Sequence, residues 1–323
     1  MRTAVKLLAL LCAMLITDAL HAQRMLNAPL PSRASALAGV IDLHVHSAPD
    51  VFIRSVDDIE VAEMAKRRGM RALLLKNHVS ASADRAWLVM KVVPGIELFG
   101  GVVLNKSVGG VNPVAVEALY RNSGGRGKVV WLPTFDSENH LRLNKEKGAE
   151  AGLRVAVNGK LLPETEEVLK IIARENLSLA TGHVAPEESL AVIKRAKELG
   201  VKNIIVTHAL ADVPGMTIEQ AKQAAQMGAY IEYCFGNDLR SPTAYLPGLR
   251  NARRLSIKDT VEHARQIGVQ SMILSTDLGQ FGNPTPADGM QLLIDGLKRE
   301  GVSQDDIDQM VKKNPAHFLG LEG

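Results

Sequence analysis

The residues of this chain that are best suited to chemistry are histidines and one aspartate, beginning with His44-Val45-His46. Alternate side chains of a β-strand share a face, so a strand at this position would direct both imidazoles to one side. Imidazoles and carboxylates are the ligands of catalytic zinc sites, which keep a further position for water. We therefore predict a metal site formed by His44, His46, His183 and Asp277.

The chemistry of such a site follows from the bound cation. A divalent ion lowers the pKa of its water to about 7 and so provides hydroxide at neutral pH. Asp277 would accept a proton from that water as it attacks, and His208 would serve as an acid or base or bind a second ion. The remaining candidates are Lys76 and His78, for metal or substrate contacts, and Arg54 and Arg240, for binding an anionic substrate.

Short apolar runs precede these residues and recur through the chain. Several are β-branched and none alternates strictly, which is typical of strands that are buried on both faces of a parallel sheet. The runs are Val40–Val45, Ala72–Leu75, Leu98–Leu104, Val129–Leu132, Leu177–Ala180, Ile204–Val206, Ala229–Tyr233 and Met272–Leu274. The amphipathic stretches between them predict helices, one of which starts at Ser55 by capping, and several end at a glycine such as Gly200.

Eight such units in about 280 residues predict an α/β fold, a (β/α)8 TIM barrel, with a doubly wound open sheet as the alternative. An extra helix follows at the C-terminus, and residues 136–162 form an insertion after strand 4 with a turn at Val157–Gly159. In this fold the active site lies at the carboxyl ends of the strands. Five histidines are predicted there, whereas His140, His263 and His317 are expected elsewhere.

The N-terminus differs from the rest of the chain. A positive flank, the apolar run Leu7–Ile16 and the small residue Ala22 predict a secretory signal peptide over residues 1–22 and a periplasmic or secreted protein. Residues 23–40 look like a linker, and residues 41–323 form the barrel domain. The single remaining cysteine, Cys234, is expected to be a small buried residue.

Composition limits the partners. The net charge of +3 has no basic block and aromatic residues make up only 4% of the chain, which argues against nucleic acid. Leu7–Ile16 is too short for stable membrane insertion. A small-molecule substrate is therefore expected, and the formation of a homo-oligomer stays open.

These residues together resemble the amidohydrolase superfamily of metal-dependent TIM-barrel hydrolases. The resemblance covers the chain after the leader and includes the C-terminal segment Asn314–Leu321. It implies that the first histidine pair and Asp277 bind one metal, zinc being favoured, while His183 and His208 bind a second or divide ligation and catalysis between them. The implied reaction is hydrolysis of an amide, lactone or ester bond.

The chain departs from the pattern of that superfamily on strand 4. Two-metal members carry a bridging carbamylated lysine or glutamate there, and Val129–Thr134 has neither. Asp136 or Glu138 just beyond could replace it, although capping of the insertion is favoured, and Lys76 could be carbamylated or bind substrate as a cation. The lack of this bridging residue favours one metal ion. The alternative to hydrolysis is a decarboxylase or other lyase reaction at the same site.

A second resemblance, to the polymerase-and-histidinol-phosphatase (PHP) phosphoesterases, rests on Asp42–Ser47, Asn77-His78 and Pro94–Glu97. It implies that His78 and Glu97 are ligands. Two features oppose it. Glu97 would lie about 20 Å from the strand end, and Gly279 stands where those enzymes tend to have histidine.

Overall fold

The computed structural model describes residues 36–244 and 249–321. The predicted signal peptide and residues 23–35 of the predicted linker lie outside these described residues. Leu37 is already fully buried, and the Gly39 amide donates a hydrogen bond of 2.9 Å to the Gly69 carbonyl. No helix within the described residues is long and apolar enough to cross a membrane.

Eight parallel strands form one sheet in which each strand pairs with the next along the chain. The strands are β1 Ile41–Val45, β2 Ala72–Leu75, β3 Glu97–Val103, β4 Gly127–Trp131, β5 Ser178–Ala180, β6 Ile204–Val206, β7 Tyr230–Cys234 and β8 Met272–Ser275. A parallel bridge between Val45 and Leu278 joins the last strand to the first. The predicted (β/α)8 TIM barrel is therefore confirmed.

Helices connect successive strands, and the last ones follow the final strand. They are α1 Asp58–Arg67, α2 Ala83–Val92, α3 Pro113–Arg121, α4 Glu138–Leu143, α5 Pro163–Arg174, α6 Pro186–Glu198, α7 Ile218–Gln226, α8 Ile257–Ile267, α9 Pro286–Arg299, α10 Gln304–Asp308 and α11 Asn314–Leu319. The prediction that Ser55 caps the first helix was wrong, because the cap is Asp57, two residues further on. Asp57 forms a capping box with Glu60 and fixes the start at Asp58.

The insertion after β4 contains two elements. Helix α4 comes first, and a short antiparallel hairpin of Ala156–Val157 and Lys160–Leu161 follows. Asn158 and Gly159 both have positive φ, as a type I′ hairpin turn requires, so the predicted turn is confirmed.

An apolar core fills the interior of the barrel. Phe99 and Trp131 lie in it together with Phe318 from α11. Ser178, the first residue of β5, donates a hydrogen bond of 2.6 Å to the Phe318 carbonyl, which places α11 at the amino ends of the strands. The opposite end, where the strands finish, is left for polar side chains.

Candidate metal centre

Three predicted ligands meet at the seam between β1 and β8. The Nε2 atoms of His44 and His46 lie 3.2 and 3.0 Å from the same oxygen, Oδ1 of Asp277. Both imidazoles are buried, and the Asp277 side chain is 20% exposed. A register shift between Asp42 and Val45 interrupts the pairing of β1 with β2 here, and such irregularities re-aim side chains.

The ring nitrogens that point away from Asp277 also have oxygen partners. Nδ1 of His46 lies 3.0 Å from the Lys76 carbonyl oxygen and 3.3 Å from Nη2 of Arg54. Nδ1 of His44 likewise faces the Glu232 carboxylate at 3.2 Å. A hydrogen on each Nδ1 would leave both Nε2 lone pairs directed at the Asp277 oxygen. Three electron-rich atoms converge on a point that a cation would stabilise.

Burial keeps this arrangement in the form that binds cations. Burial, aided by the Arg54 guanidinium, lowers the pKa of His46 to about 3, so its ring is neutral at pH 7. Burial alone would raise the pKa of Asp277, but His44 and His46 hold it well below its usual range. Neutral imidazole and ionised carboxylate are the protonation states that metal binding requires.

Glu232 on β7 is a site residue to which the sequence analysis gave no role. Besides His44, it accepts a hydrogen bond of 3.1 Å from the His208 amide. Burial opposes its ionisation, but interaction with His44 lowers the pKa of Glu232 to about 2. A buried glutamate in an otherwise apolar strand is the sequence signal that points to it.

His208 lies at the mouth of the barrel, as predicted. Its ring is 5.8 Å from that of His44, and its Nδ1 lies 2.8 Å from the Val213 carbonyl oxygen, which leaves Nε2 with the lone pair. The backbones of His208 and Asp277 both have positive φ, at 27° and 52°. Non-glycine residues held in this region store strain of about 1–3 kcal/mol, which is typical of functional sites.

His183 lies at the same mouth, 4.9 Å from His208 between ring centroids, but it is not among the three ligands that meet at Asp277. Its Nδ1 lies 2.9 Å from Nδ1 of His140. The expectation that His140 lies away from the strand ends was wrong. Helix α4 of the insertion turns back over the barrel and brings His140 to the site.

The two β2-end candidates lie deeper and to one side. Nζ of Lys76 is 3.0 Å from Nε2 of His44, and burial lowers the pKa of this amine. His78 is bonded through Nδ1 to the Thr134 hydroxyl at 2.9 Å and stacks on His46 with 4.9 Å between ring centroids. Lys76 thus touches a proposed ligand, whereas His78 packs beside one.

The two arginines that were predicted to bind an anionic substrate differ in their partners. Arg54 is paired with Asp50 through Nε at 2.8 Å and Nη2 at 2.7 Å, so its charge is neutralised. Arg240 is partly buried, and both Nε and Nη2 contact the neutral Oδ1 of Asn237. Its guanidinium has no carboxylate within 4.0 Å among the described residues.

Several other polar residues stand apart from the centre. Glu97 begins β3 beside Arg71, at the opposite end of the barrel. Asp136 caps the turn at Lys106, accepting its amide at 2.8 Å, and Glu138 lies near Arg142 and Arg154. Neither Asp136 nor Glu138 contacts Asp277, so neither replaces the bridging residue that is missing from strand 4.

Two further features bear on alternative sites. A Cβ on Gly279 would lie 1.7 Å from the His46 carbonyl oxygen, so no histidine fits at that position. His44, Glu232 and Cys234 also lie close together, but burial raises the pKa of the Cys234 thiol well above normal and keeps it protonated. A cavity of about 620 Å³ opens beside Gly39, Lys202 and Lys313 at the far end, without a metal-binding cluster among the described residues.

Two solved structures share the fold of this barrel. An organophosphorus hydrolase from Deinococcus radiodurans superimposes with a TM-score of 0.56 at 16% identity, covering 88% of this chain and 94% of its own. A second structure, described as a "probable 2-pyrone-4,6-dicarboxylic acid hydrolase" of Acinetobacter baumannii with citric acid bound, gives 0.55 at 13% identity, covering 87% and 99%. At these identities the likeness shows the fold, a TIM barrel shared with two hydrolases, and this fold is the one that the predicted resemblance implied.

The sequence identifies the family to which the chain belongs. Residues 39–232 match the profile of a family of unknown function, DUF6282, and the chain belongs to that family. No curated protein sequence matches it. The matched segment runs from just before β1 into β7, so it includes every histidine of the site and Glu232.

Proposed function

We propose that this protein is a metal-dependent hydrolase of the amidohydrolase type that cleaves a C–O or C–N bond in a small ester, lactone or amide. The observation that carries the proposal is the position of Asp277, whose Oδ1 lies 3.2 and 3.0 Å from the Nε2 atoms of His44 and His46. A protein that only binds its ligand has no need of such a proton acceptor.

The donor set fits a divalent cation, with zinc as the proposed ion. His44, His46 and Asp277 offer ligand atoms that lie within 4.8 Å of one another, and His183 is proposed as a further ligand or base. Such a cation would polarise the substrate carbonyl and lower the pKa of water. Nitrogen and oxygen donors with a position left open are typical of catalytic rather than structural zinc sites.

Asp277 and His208 would each carry out part of the proton transfer. Asp277 would take the proton of the attacking water and return it to the leaving oxygen or nitrogen. His208, whose Nδ1 is held by Val213, presents the unprotonated Nε2 and would orient the carbonyl or exchange a proton with it. The Phe135 ring stacks on His78 with 4.1 Å between centroids and so covers one side of that ring.

The proposed substrate is anionic, and Arg240 is its proposed anchor because the guanidinium has only Asn237 as a partner among the described residues. Replacing Arg240 with Met should raise KM for a carboxylated substrate more than for its methyl ester. Arg254, which already pairs with Asp238 at 3.0 Å, is the matched control. An equal loss for both substrates would contradict the assignment.

The test of the proposal combines metal analysis with one substitution. Purified protein should contain about one equivalent of a divalent metal per chain and hydrolyse members of a panel of lactones, esters and amides. Replacing Asp277 with Asn should abolish turnover while the circular dichroism spectrum stays unchanged. Metal-free protein with full activity would refute the proposal, and product formation without incorporation of labelled water would indicate a lyase.

The position of Glu97 and the lack of space at Gly279 count against a PHP-type phosphoesterase. Phosphoesters added to the panel should therefore not be hydrolysed. For location, we propose cleavage near Ala22 and export to the periplasm or medium; the N-terminal sequence of protein recovered from cell fractions tests this.

A further inference from the structure

The cavity of about 620 Å³ lies at the end of the barrel away from the proposed metal centre. One part of its wall directly precedes strands, with Arg71 before β2 and Lys202 and Asn203 before β6. Another part comes from the C-terminal segment, with Lys312 and Lys313 just before α11. Small-molecule sites have volumes of roughly 300–1,000 Å³. The size of the cavity therefore suits a small organic molecule.

The wall of this cavity is positively charged, and none of the described residues that line it is acidic. Its cationic side chains are those of Arg71, Lys202, Lys312 and Lys313. Two of these charges are balanced from outside the cavity. Glu97 pairs with Arg71 at 3.4 Å, and Asp308 pairs with Lys312 at 2.9 Å. Lys202 and Lys313 have no carboxylate partner among the described residues, so two positive charges are left for a ligand.

Asn203 adds a polar group to the wall that the rest of the described chain does not use. Its side chain is 8% exposed. Its Oδ1 is buried without a hydrogen-bond partner, and no described residue bonds its Nδ2. Buried amide groups are nearly always hydrogen-bonded, so an amide without partners requires an explanation. Nδ2 of Asn203 can donate to an anionic oxygen of a molecule in the cavity.

The backbone that carries Lys312 and Lys313 is unusual. Gln309–Lys313 form a π-helical turn between α10 and α11. Such turns are rare and are frequently found at functional sites. Helix α11 is fixed to the barrel by the hydrogen bond of 2.6 Å from Ser178 to the Phe318 carbonyl. Lys313 is therefore held next to the starts of the strands by a rigid segment.

We propose that this cavity is a binding site for a small organic dianion, a phosphate monoester or a dicarboxylate. The charges of Lys202 and Lys313 match its two negative charges, and lysine binds phosphate as a point charge. Asn203 would bond one of the anionic oxygens. The bound molecule would connect the start of β6 to the segment before α11. This site is separate from the proposed metal centre and does not depend on the proposed hydrolysis.

Isothermal titration calorimetry of the protein as purified tests the site. Glucose 6-phosphate and succinate are the two dianionic probes, and glucose and dimethyl succinate are their uncharged controls. At least one dianion should bind with a Kd of about 1 mM or lower, and its identity decides between the phosphate and the dicarboxylate. Binding should weaken as sodium chloride is raised, because salt screens exposed charges. If neither dianion binds, or if the uncharged controls bind as well, the proposal is wrong.

Four variants locate the bound dianion. Lys202→Met and Lys313→Met change exposed side chains, and each should raise Kd about tenfold because a charged partner is lost. Asn203→Ala breaks no hydrogen bond within the described chain and should also raise Kd. Lys258→Met, at an exposed lysine of α8, is the matched control and should leave Kd unchanged.

Binding of the probes at the mouth of the barrel is the competing result. Arg240→Met, which removes a cation at that mouth, should leave the Kd of the dianion unchanged. A Kd that rises in Arg240→Met but stays constant in Lys202→Met and Lys313→Met would overturn the proposal. None of these measurements needs turnover, so a failure of the proposed hydrolysis stays distinguishable.

Discussion

Glu232 connects two histidines that come from different strands. Its carboxylate accepts from the His44 ring and from the His208 amide, and it is 3% exposed. A carboxylate in this position orients an imidazole and makes its other nitrogen a better metal ligand. Glu232 is therefore expected to act on the centre without touching the substrate.

Replacing Glu232 with Gln should lower the affinity for zinc about 10- to 100-fold. The neutral amide accepts more weakly and can present its NH2 group instead, which lets His44 adopt the other tautomer. Competition with a chelator of known affinity measures the change. Glu97→Gln, at the end of the barrel away from the site, is the matched control. Equal zinc affinities in the two variants would refute this role of Glu232.

At the scale of elements, the seam between β1 and β8 depends on one buried carboxylate. Asp42 accepts hydrogen bonds from the amides of His44 and Thr276 at 3.1 and 3.0 Å and from the Thr276 hydroxyl at 2.5 Å. These bonds join the first strand to the last directly below the proposed ligands. The Asp277 amide continues the seam with a bond of 2.8 Å to the His44 carbonyl.

Replacing Asp42 with Ala should lower the free energy of unfolding by roughly 2–5 kcal/mol, because it leaves buried donors without an acceptor. Asp42→Asn keeps one acceptor and should cost less. Urea unfolding measures both. Asp308→Ala, which removes a partly exposed ion pair with Lys312, should cost less than about 1 kcal/mol. If Asp42→Ala lowered the free energy of unfolding by less than about 1 kcal/mol, a stabilising role for Asp42 at the seam would be contradicted.

The strands and the turn at Asn158-Gly159 were predictable because each is encoded by a few neighbouring residues. The positions of His44, His46 and Asp277 followed from the rule that barrel sites lie at strand ends. His140 was not predictable in this way. It reaches His183 across 43 residues of sequence through the path of an insertion, and no local propensity determines that path. Glu232 was missed because its partners lie on β1 and β6, far away in sequence.

At the scale of the whole molecule, the proposed centre connects the first strand of the barrel to the last. His44 lies in β1, His46 directly follows β1, and Asp277 follows β8. Strands β1 and β8 are the only neighbouring pair in the described sheet that is not consecutive in sequence. Unfolding must separate these ligands, because nothing local keeps β1 near β8. A cation bound only by the folded chain therefore stabilises it by mass action.

Zinc at about 100 times its Kd should add about 2.7 kcal/mol to the free energy of unfolding. For a domain of about 280 residues that corresponds to a rise in Tm of roughly 4–6 °C, and a chelator should reverse it. Differential scanning calorimetry of metal-free and zinc-loaded protein measures the shift. Asp277→Asn removes the ligand on the β8 side and should lose most of it, whereas Asp308→Ala should retain it. If zinc raised Tm equally in the wild type and in Asp277→Asn, the ion would be bound elsewhere and the seam would not be the metal centre.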